Sequence, residues 1–250
     1  MTFNSATTLK RFWTESSKGL GHVEWIVVDN GSSDDSVAVA RSLGAKTIPL
    51  GRNIGFGAAN NVGYRTSQGD YVAFVNPDVE VDAATLPYLA EVANRRQTIV
   101  SPQLLNPDGT MQPNGRAMPY LSSKIMHRLR PGDAGNYRIF AGLEDEVEVD
   151  WFMGAAVVGN RDVLDKLGPW DERFFVYYED SDLGLRASAA GMQPLLVGTV
   201  RWVHGWARDT KRVSWSAWKR ELPSLVKFYS RYPRLLWQPR PLTPRRKPSV

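Results

Sequence analysis

The chain contains no cysteine, which excludes disulfides, thiolate zinc sites and a cysteine nucleophile. An intracellular setting is the expectation that follows. No apolar run approaches the length of a membrane span, and the N-terminus lacks the basic-then-apolar pattern of a signal peptide. No internal repeat is present. With 42% hydrophobic and 23% charged residues the 250-residue chain has an ordinary globular composition, and it can bury a substantial core. Its net charge of +5 is unevenly placed. The last third carries Arg201, Arg208, Lys211, Arg212, Lys219, Arg220, Lys227 and Arg231, interleaved with Trp202, Trp206, Trp215, Trp218, Phe228, Tyr229 and Trp237. Basic and aromatic residues in alternation suit an anionic membrane surface, or a solvated helix face with a partly buried apolar side. Nucleic acid is the weaker reading, because no nucleic-acid-binding motif accompanies the charge.

The stretch that organises the rest is Tyr71 to Asp82. Tyr71-Val72-Ala73-Phe74-Val75 is a continuous apolar run, which reads as a strand buried on both faces of a parallel-type sheet. Pro77 stops it, having no N–H to donate. Asp78 then stands at the carboxyl end of a central strand, where open α/β sheets place ligands. A carboxylate there suits a divalent metal and phosphates. In isolation, Asn76-Pro77-Asp78 is equally a strand followed by a turn. Asp82 reads as the cap of the next helix.

Alternation of strand and helix signals argues for a sheet with helices packed on it. Thr7 to Ser17 reads as a helix. Glu24 to Val28 is a buried strand running into Asp29-Asn30-Gly31-Ser32, and Lys46 to Leu50 is an edge strand bearing Pro49. Asn53 to Asn61 is a glycine-rich entry into a helix ending near Thr66. From Ser101 to about Asp150 the signals turn irregular, with turns at Asn106-Pro107-Asp108-Gly109 and Pro131-Gly132-Asp133. This stretch is expected to be a long excursion that shapes a pocket. Regular structure resumes at Val149 to Val158, then a short helix from Asp162 to Leu167, a strand from Leu195 to Val203 ending at His204, and a basic amphipathic helix from Ser214 to Tyr229. Pro233 to Val250 reads as a loosely held tail.

The second informative stretch is Phe174-Phe175-Val176-Tyr177-Tyr178-Glu179-Asp180-Ser181-Asp182-Leu183-Gly184-Leu185-Arg186. Aromatics pack its approach and three carboxylates follow within four residues. A helix dipole favours carboxylates in the first turn, so a well-capped surface helix explains them too. Asp182 and Arg186 are spaced to pair. A partly desolvated carboxylate beside others has its pKa raised and becomes a candidate general base.

Four segments occur in order: VEWIVVDNGSSDDS, RNIGFGAANNVGY, GDYVAFVNPDVEVD and GPWDERFFVYYEDSDLGLRASAAG. Together they resemble the family 2 glycosyltransferases of the GT-A fold, particularly the rhamnosyltransferase-like branch, over roughly residues 2 to 230. NPDGTMQPNGRAMP resembles the actinobacterial enzymes that add rhamnose to a lipid-linked N-acetylglucosamine. The resemblance implies a GT-A (Rossmann-like) α/β domain, mainly parallel, over residues 1–230. Residues 1–100 would bind the nucleotide-sugar and 101–230 the acceptor, with 231–250 a basic Pro/Arg-rich tail. By that resemblance Thr2, Asp29, Asn30, Gly31, Ser32, Asn53, Gly57, Asn60, Asn76 and Asp78 surround the nucleotide-sugar. Asn60 stands where many relatives have an arginine. Asp78 holds Mg²⁺ or Mn²⁺ on the diphosphate, and His204 reaches the metal, although a strand-end histidine bonded to backbone is equally consistent. Asp180 is the catalytic base with Glu179 beside it, and Trp151, Met153, Gly154 and Tyr178 lie by the acceptor.

One departure stands out. Relatives of this kind begin with an apolar strand, of which Met1-Thr2-Phe3-Asn4 keeps only the end, so either the start of the protein lies upstream of Met1 or the sheet lacks an inner strand and part of its base pocket, with weakened nucleotide binding. The implied activity is inverting, metal-dependent transfer of L-rhamnose from dTDP-rhamnose to a lipid-linked or polysaccharide acceptor, at the inner face of the cell membrane. A UDP-hexose transferase of the same family and a non-catalytic nucleotide-sugar or glycan-binding protein are the alternatives.

Overall fold

The structure, a computed structural model, describes residues 1–129, 137–205 and 215–237. In chain order the elements are α1 (Ala6–Ser16), β1 (Ile26–Asp29), α2 (Ser36–Ser42), β2 (Lys46–Pro49), α3 (Phe56–Thr66), β3 (Tyr71–Val75), β4 (Val79–Glu80), α4 (Leu86–Arg96) and β5 (Val100–Leu105). There follow β6 (Gly115–Arg116), α5 (Leu121–Leu129), β7 (Arg138–Ile139), β8 (Glu146–Glu148), β9 (Trp151–Phe152), β10 (Ala156–Asn160), α6 (Arg161–Leu167), α7 (Glu179–Ala189), β11 (Leu195–His204) and α8 (Trp215–Arg231). The turn at Pro131-Gly132-Asp133, residues 206–214 and residues 238–250 of the basic tail lie outside the described residues.

The main sheet runs β3-β10-β5-β11-β4, with β8 on β11. Its one parallel pair is β5 with β11, and the other pairs are antiparallel. A separate parallel pair, β1 with β2, carries the N-terminal αβ units. Leu89, Val92 and Ala93 of α4 and Leu9, Phe12 and Trp13 of α1 bury their apolar faces against the strands, filling the core. Asp82 accepts from the Ala84 N–H at 3.1 Å and caps the turn before α4, as expected of it.

Two expectations need correction. The run Tyr71 to Val75 is not buried on both faces: Tyr71 and Ala73 are exposed and only Phe74 is buried. β3 is the edge of its sheet, since no strand pairs it with β1. Besides β2, Thr2 stands beside β1, in a parallel bridge to Asp29 with bonds to the Val28 carbonyl and from the Asn30 N–H, both 2.8 Å. A cavity of about 430 Å³ opens between the two sheets, lined by Val27, Ala73, Phe74, Val75, Leu9 and Trp13. The Met1 amine is buried there, and desolvation pushes its pKa down to about 6.

The stretch after Ser101 is also more regular than expected. β5 is a central strand with Val100, Ser101, Pro102, Gln103 and Leu104 buried. Pro102 inside it argues against a central strand, because it removes a ladder donor. β11 accommodates it with a bulge: the register jumps from Val197 opposite Pro102 to Arg201 opposite Gln103. Gly198 lies in that bulge, pressed against the Gly142 carbonyl where no side chain fits.

Candidate active site

Three loop ends converge on one edge of the molecule. The first follows β1. Asp29 is buried, and its carboxylate accepts from the Ser32 N–H at 3.0 Å, the Ser32 hydroxyl at 2.5 Å and the Thr2 hydroxyl at 3.2 Å. Gly31 has φ +83° and packs on the Arg52 and Asn53 backbone, where a Cβ would come within 2.7 Å. Asn30 is fully buried and its amide is spent on the neighbouring loop. It donates to the Asn53 side chain at 3.0 Å and the Gly55 carbonyl at 3.2 Å, and accepts from the Ile54 N–H at 2.8 Å. Asn53 also accepts from the Gly55 N–H at 3.0 Å. Asn30 and Asn53 therefore shape this pocket by clamping two loops together. Asn60 bonds the Phe56 carbonyl at 3.2 Å within its own helix, and Gly57 packs closely on Trp170.

The second loop end follows β3. The Asn76 N–H is held by the Ala155 carbonyl at 2.8 Å, and the Pro77 carbonyl accepts from the Trp13 indole at 3.1 Å, fixing Asp78 between them. The Asp78 carbonyl in turn accepts from the Gly205 N–H at 2.7 Å, which brings the end of β11 alongside. His204 Nε2 stands 3.4 Å from Asp78 Oδ2. The Gln112 amide donates to the His204 carbonyl at 2.8 Å, so its oxygen is the atom facing His204 Nδ1, also at 2.8 Å. In the neutral ring the proton then resides on Nδ1 and the Nε2 lone pair faces the carboxylate. Two electron-rich atoms at that separation are complementary to a cation, and orientation of a ligating histidine through its other nitrogen is the usual supporting arrangement. Among the described residues no group of three acidic, histidine or cysteine ligands occurs. Two protein ligands completed by phosphate oxygens match the way magnesium is commonly held.

The third loop end leads into α7. Tyr177 and Tyr178 both adopt left-handed backbone, φ +68° and +70°. Non-glycine residues pay of order 1–3 kcal/mol each for this, and such strain collects at functional sites. The turn aims the first residues of α7 inward. Gly154 lies against Asp180, its N–H 3.4 Å from Oδ2, and a Cβ there would meet the Trp170 ring at 3.2 Å. Gly184 lets α7 close on Trp151. Glu179 is buried, and its Oε2 has no hydrogen-bond partner among the described residues. Burial, then the neighbouring Asp180 charge, pushes the Glu179 pKa up; burial likewise raises Asp180, against the opposing field of Lys124. Asp182 instead pairs with Arg186 at 2.7 Å, as its spacing predicts, and belongs to the scaffold.

Trp151 is buried and donates to the Ala117 carbonyl at 2.9 Å, while Tyr178 packs on Phe228 with ring centres 5.1 Å apart. Met153 lies beside Arg116. Sequence reasoning missed Gln112, Arg116, Lys124 and Asn61. Asn61 exchanges bonds with the Trp170 backbone at 2.8 and 3.2 Å and ties α3 to the loop before α7.

The model of the glycosyl transferase family 2 matches residues 1–152. The chain belongs to glycosyl transferase family 2. A Mycobacterium tuberculosis protein named N-acetylglucosaminyl-diphospho-decaprenol L-rhamnosyltransferase is 30% identical over 234 residues, 85% of this chain and 76% of its own. Rhamnosyltransferase WbbL of Escherichia coli K12 is 25% identical over 84% of this chain and 83% of its own. Among solved structures, a mannosyltransferase from Pyrobaculum calidifontis in complex with GDP-Man and Mn²⁺ superposes with a TM-score of 0.57 at 17% identity. That match covers 93% of this chain, which spans only 62% of the mannosyltransferase, and it bears on the fold alone. The fold is GT-A and the protein is a glycosyltransferase, in keeping with the family resemblance read from the four segments.

Proposed function

We propose that the protein is an inverting, metal-dependent rhamnosyltransferase. It would move L-rhamnose from dTDP-rhamnose to a hydroxyl of a glycan acceptor on a polyprenyl carrier. The observation that carries this is the pairing of Asp78 with a tautomer-locked His204 on the edge that also presents Asp180. The rhamnosyltransferase names of the two sequence relatives support the sugar. A metal held by Asp78 and His204, Mg²⁺ or Mn²⁺, supplies charge neutralisation at the departing diphosphate. The Mn²⁺ in the mannosyltransferase complex favours such an ion.

The remaining chemistry belongs to the chain. Asp29, with Thr2 and Ser32 bonded to it, receives the nucleotide base beside Gly31, and Asn76 borders the diphosphate. Asp180, steadied by the Gly154 N–H, takes the proton from the acceptor hydroxyl as that oxygen bonds to the anomeric carbon. The bond from that carbon to the diphosphate breaks and its electron pair leaves with the nucleotide. One displacement inverts the configuration, and no protein nucleophile takes part. Trp151 and Tyr178 wall the acceptor side. Residues 1–100 form the donor half and 101–230 the acceptor half.

No helix among the described residues is long and apolar enough to cross a membrane. Leu222, Val226 and Trp237 are exposed, Trp237 at 81%, on and just after α8, and they favour docking of this basic segment on an anionic membrane at its cytoplasmic face. The donor reading is tested by thermal-shift titration with dTDP-rhamnose, UDP-glucose and GDP-mannose, with MnCl₂ or EDTA. The expected result is a shift that is largest for dTDP-rhamnose and disappears in EDTA. A larger shift with UDP-glucose would move the assignment to a UDP-hexose transferase. A donor shift without transfer to any lipid-linked acceptor would leave a binding protein.

A further inference from the structure

One buried and one half-buried cation on the acceptor side of Asp180 have no role in the chemistry described so far. Arg116, on β6, is only 7% exposed. Its guanidinium donates to its neighbour's carbonyl, Gly115, at 2.9 Å and touches the Met153 sulfur at 3.8 Å. No carboxylate forms an ion pair with it among the described residues. Lys124, on α5, holds its ammonium 3.7 Å from the centre of the Tyr178 ring, 5.2 Å from Trp151 and 5.8 Å from Phe228. It too forms no ion pair among the described residues. Arg116 also lies over the Trp151 ring at 5.9 Å, so the two cations share one aromatic wall with the catalytic carboxylate behind it.

A buried cation normally has a counter-charge, because desolvation costs several kcal/mol. Desolvation pushes Lys124 down to about 8 and Arg116 to about 10, yet both remain charged at neutral pH. Glu179 is driven towards its neutral form by burial, so the charges that face the cations are Asp180, which acts on both, and Glu221, which acts on Lys124; neither makes a close ion pair with them among the described residues. Aromatic faces stabilise a cation by about 2 kcal/mol when it is desolvated, and they do not neutralise it. The planar arginine fork and the lysine point charge are the pair that recognises phosphate oxygens.

We infer that Arg116 and Lys124 form an anion subsite for a phosphate or diphosphate ester attached to the acceptor sugar. The inference rests on the transferase reading above and adds the acceptor's chemical class and the residues that select it. The acceptor would lie with its hydroxyl at Asp180 and its phosphate against the Trp151–Tyr178 wall.

The test compares two acceptors with one sugar, N-acetylglucosaminyl-diphospho-farnesol and the uncharged farnesyl N-acetylglucosaminide. The unmodified protein should prefer the diphosphate by kcat/KM. Arg116→Gln and Lys124→Gln should each reduce that preference by about 10- to 100-fold, the range for one hydrogen bond to a charged group. Lys124→Arg, which keeps the charge, should restore most of it. An unchanged ratio, with both acceptors weakened alike, would mean that the cations only support the fold, and would overturn the subsite while leaving transfer intact. A second measurement needs no turnover. Calorimetric binding of farnesyl diphosphate in EDTA should weaken by about 10-fold or more in either Gln variant. Equal affinity would overturn the subsite even if the protein transferred nothing. If the variants lost only co-sedimentation with phosphatidylglycerol vesicles, the cations would belong to a membrane-lipid contact and the proposal would fail.

Discussion

The donor edge and the acceptor edge of this molecule are built on opposite principles. Around Asp29 and Asn30 every buried polar group answers another: carboxylate to serine and threonine hydroxyls, amide to amide, amide to backbone. That edge is finished before any ligand arrives. Across the sheet, Glu179 Oε2 and the Trp170 indole are buried with no hydrogen-bond partner among the described residues, two cations form no ion pair among them, and two tyrosines sit in strained backbone. Buried unpaired polarity is costly, and native structures tolerate it where function requires it. On the function proposed above, the contrast teaches that the donor pocket would be a preformed mould and that the acceptor side would be completed by its substrate.

The largest effect should come from attacking the unfinished side. Asp180→Asn keeps the bond with the Gly154 N–H but cannot take up the acceptor proton. General-base removal costs about 10²- to 10⁴-fold, so kcat should fall by that order while dTDP-rhamnose affinity stays within a few-fold. An isotope-labelled transfer assay and a donor titration on the same preparation check both halves. Loss of donor affinity equal to the loss of kcat would place Asp180 on the donor side and dissolve the distinction.

Gly55 joins the two edges, and it gives the intermediate effect. It has φ +96°; the Phe175 carbonyl accepts from Phe56, and a Cβ on Gly55 would reach within 2.7 Å of that carbonyl oxygen. Gly44 has nearly the same backbone, φ +94°, with nothing within 4 Å of its missing Cβ. Gly44→Ala should therefore lose only the strain of left-handed backbone, about 1–3 kcal/mol by denaturant unfolding. Gly55→Ala should lose that and also displace the run from Phe175 to Tyr178, lowering kcat/KM by about 10-fold more than the control, since small misplacements are expensive in catalysis. Equal activity in the two variants would show that the edges are not coupled through this contact.

What the sequence made legible follows from how local each signal is. Asp78 after its apolar run, Glu179-Asp180 at a helix start and Asp182 with Arg186 four residues on are short-range patterns, and all fall where expected. The apolar run of β3 alone reads as buried on both faces, and its exposure is legible only together with the missing companion strand at Met1 to Asn4. β5 was hidden by Pro102, whose compensation is a bulge in β11, nearly a hundred residues away. Gln112 gave no signal at all, since its partner His204 lies 92 residues on. Arg116 and Lys124 sat in a stretch read as irregular, and only the burial of the first and the aromatic rings around the second distinguish them from surface charges. Function on the acceptor side is assembled by long-range packing, and a linear reading finds its carboxylates but not what faces them.

The smallest effect is on stability, and its sign is diagnostic. The folded pKa of Glu179 lies above its unfolded value, chiefly through burial and then through Asp180. A raised carboxyl is fully compatible with the fold while protonated, below the ordinary glutamate range. As pH rises from there through the folded pKa, the unfolded chain releases its proton first, and stability is lost. Glu179→Gln cannot ionise, so its stability should stay level over that interval while the unmodified protein declines. The curves should coincide in acid and separate towards alkaline pH by a few degrees in Tm, at about 2–4 °C per kcal/mol for a domain of this size. Scanning calorimetry at a series of pH values reads the divergence directly. Parallel curves would mean that Glu179 has found a partner or water, and that the acceptor edge is as satisfied as the donor edge.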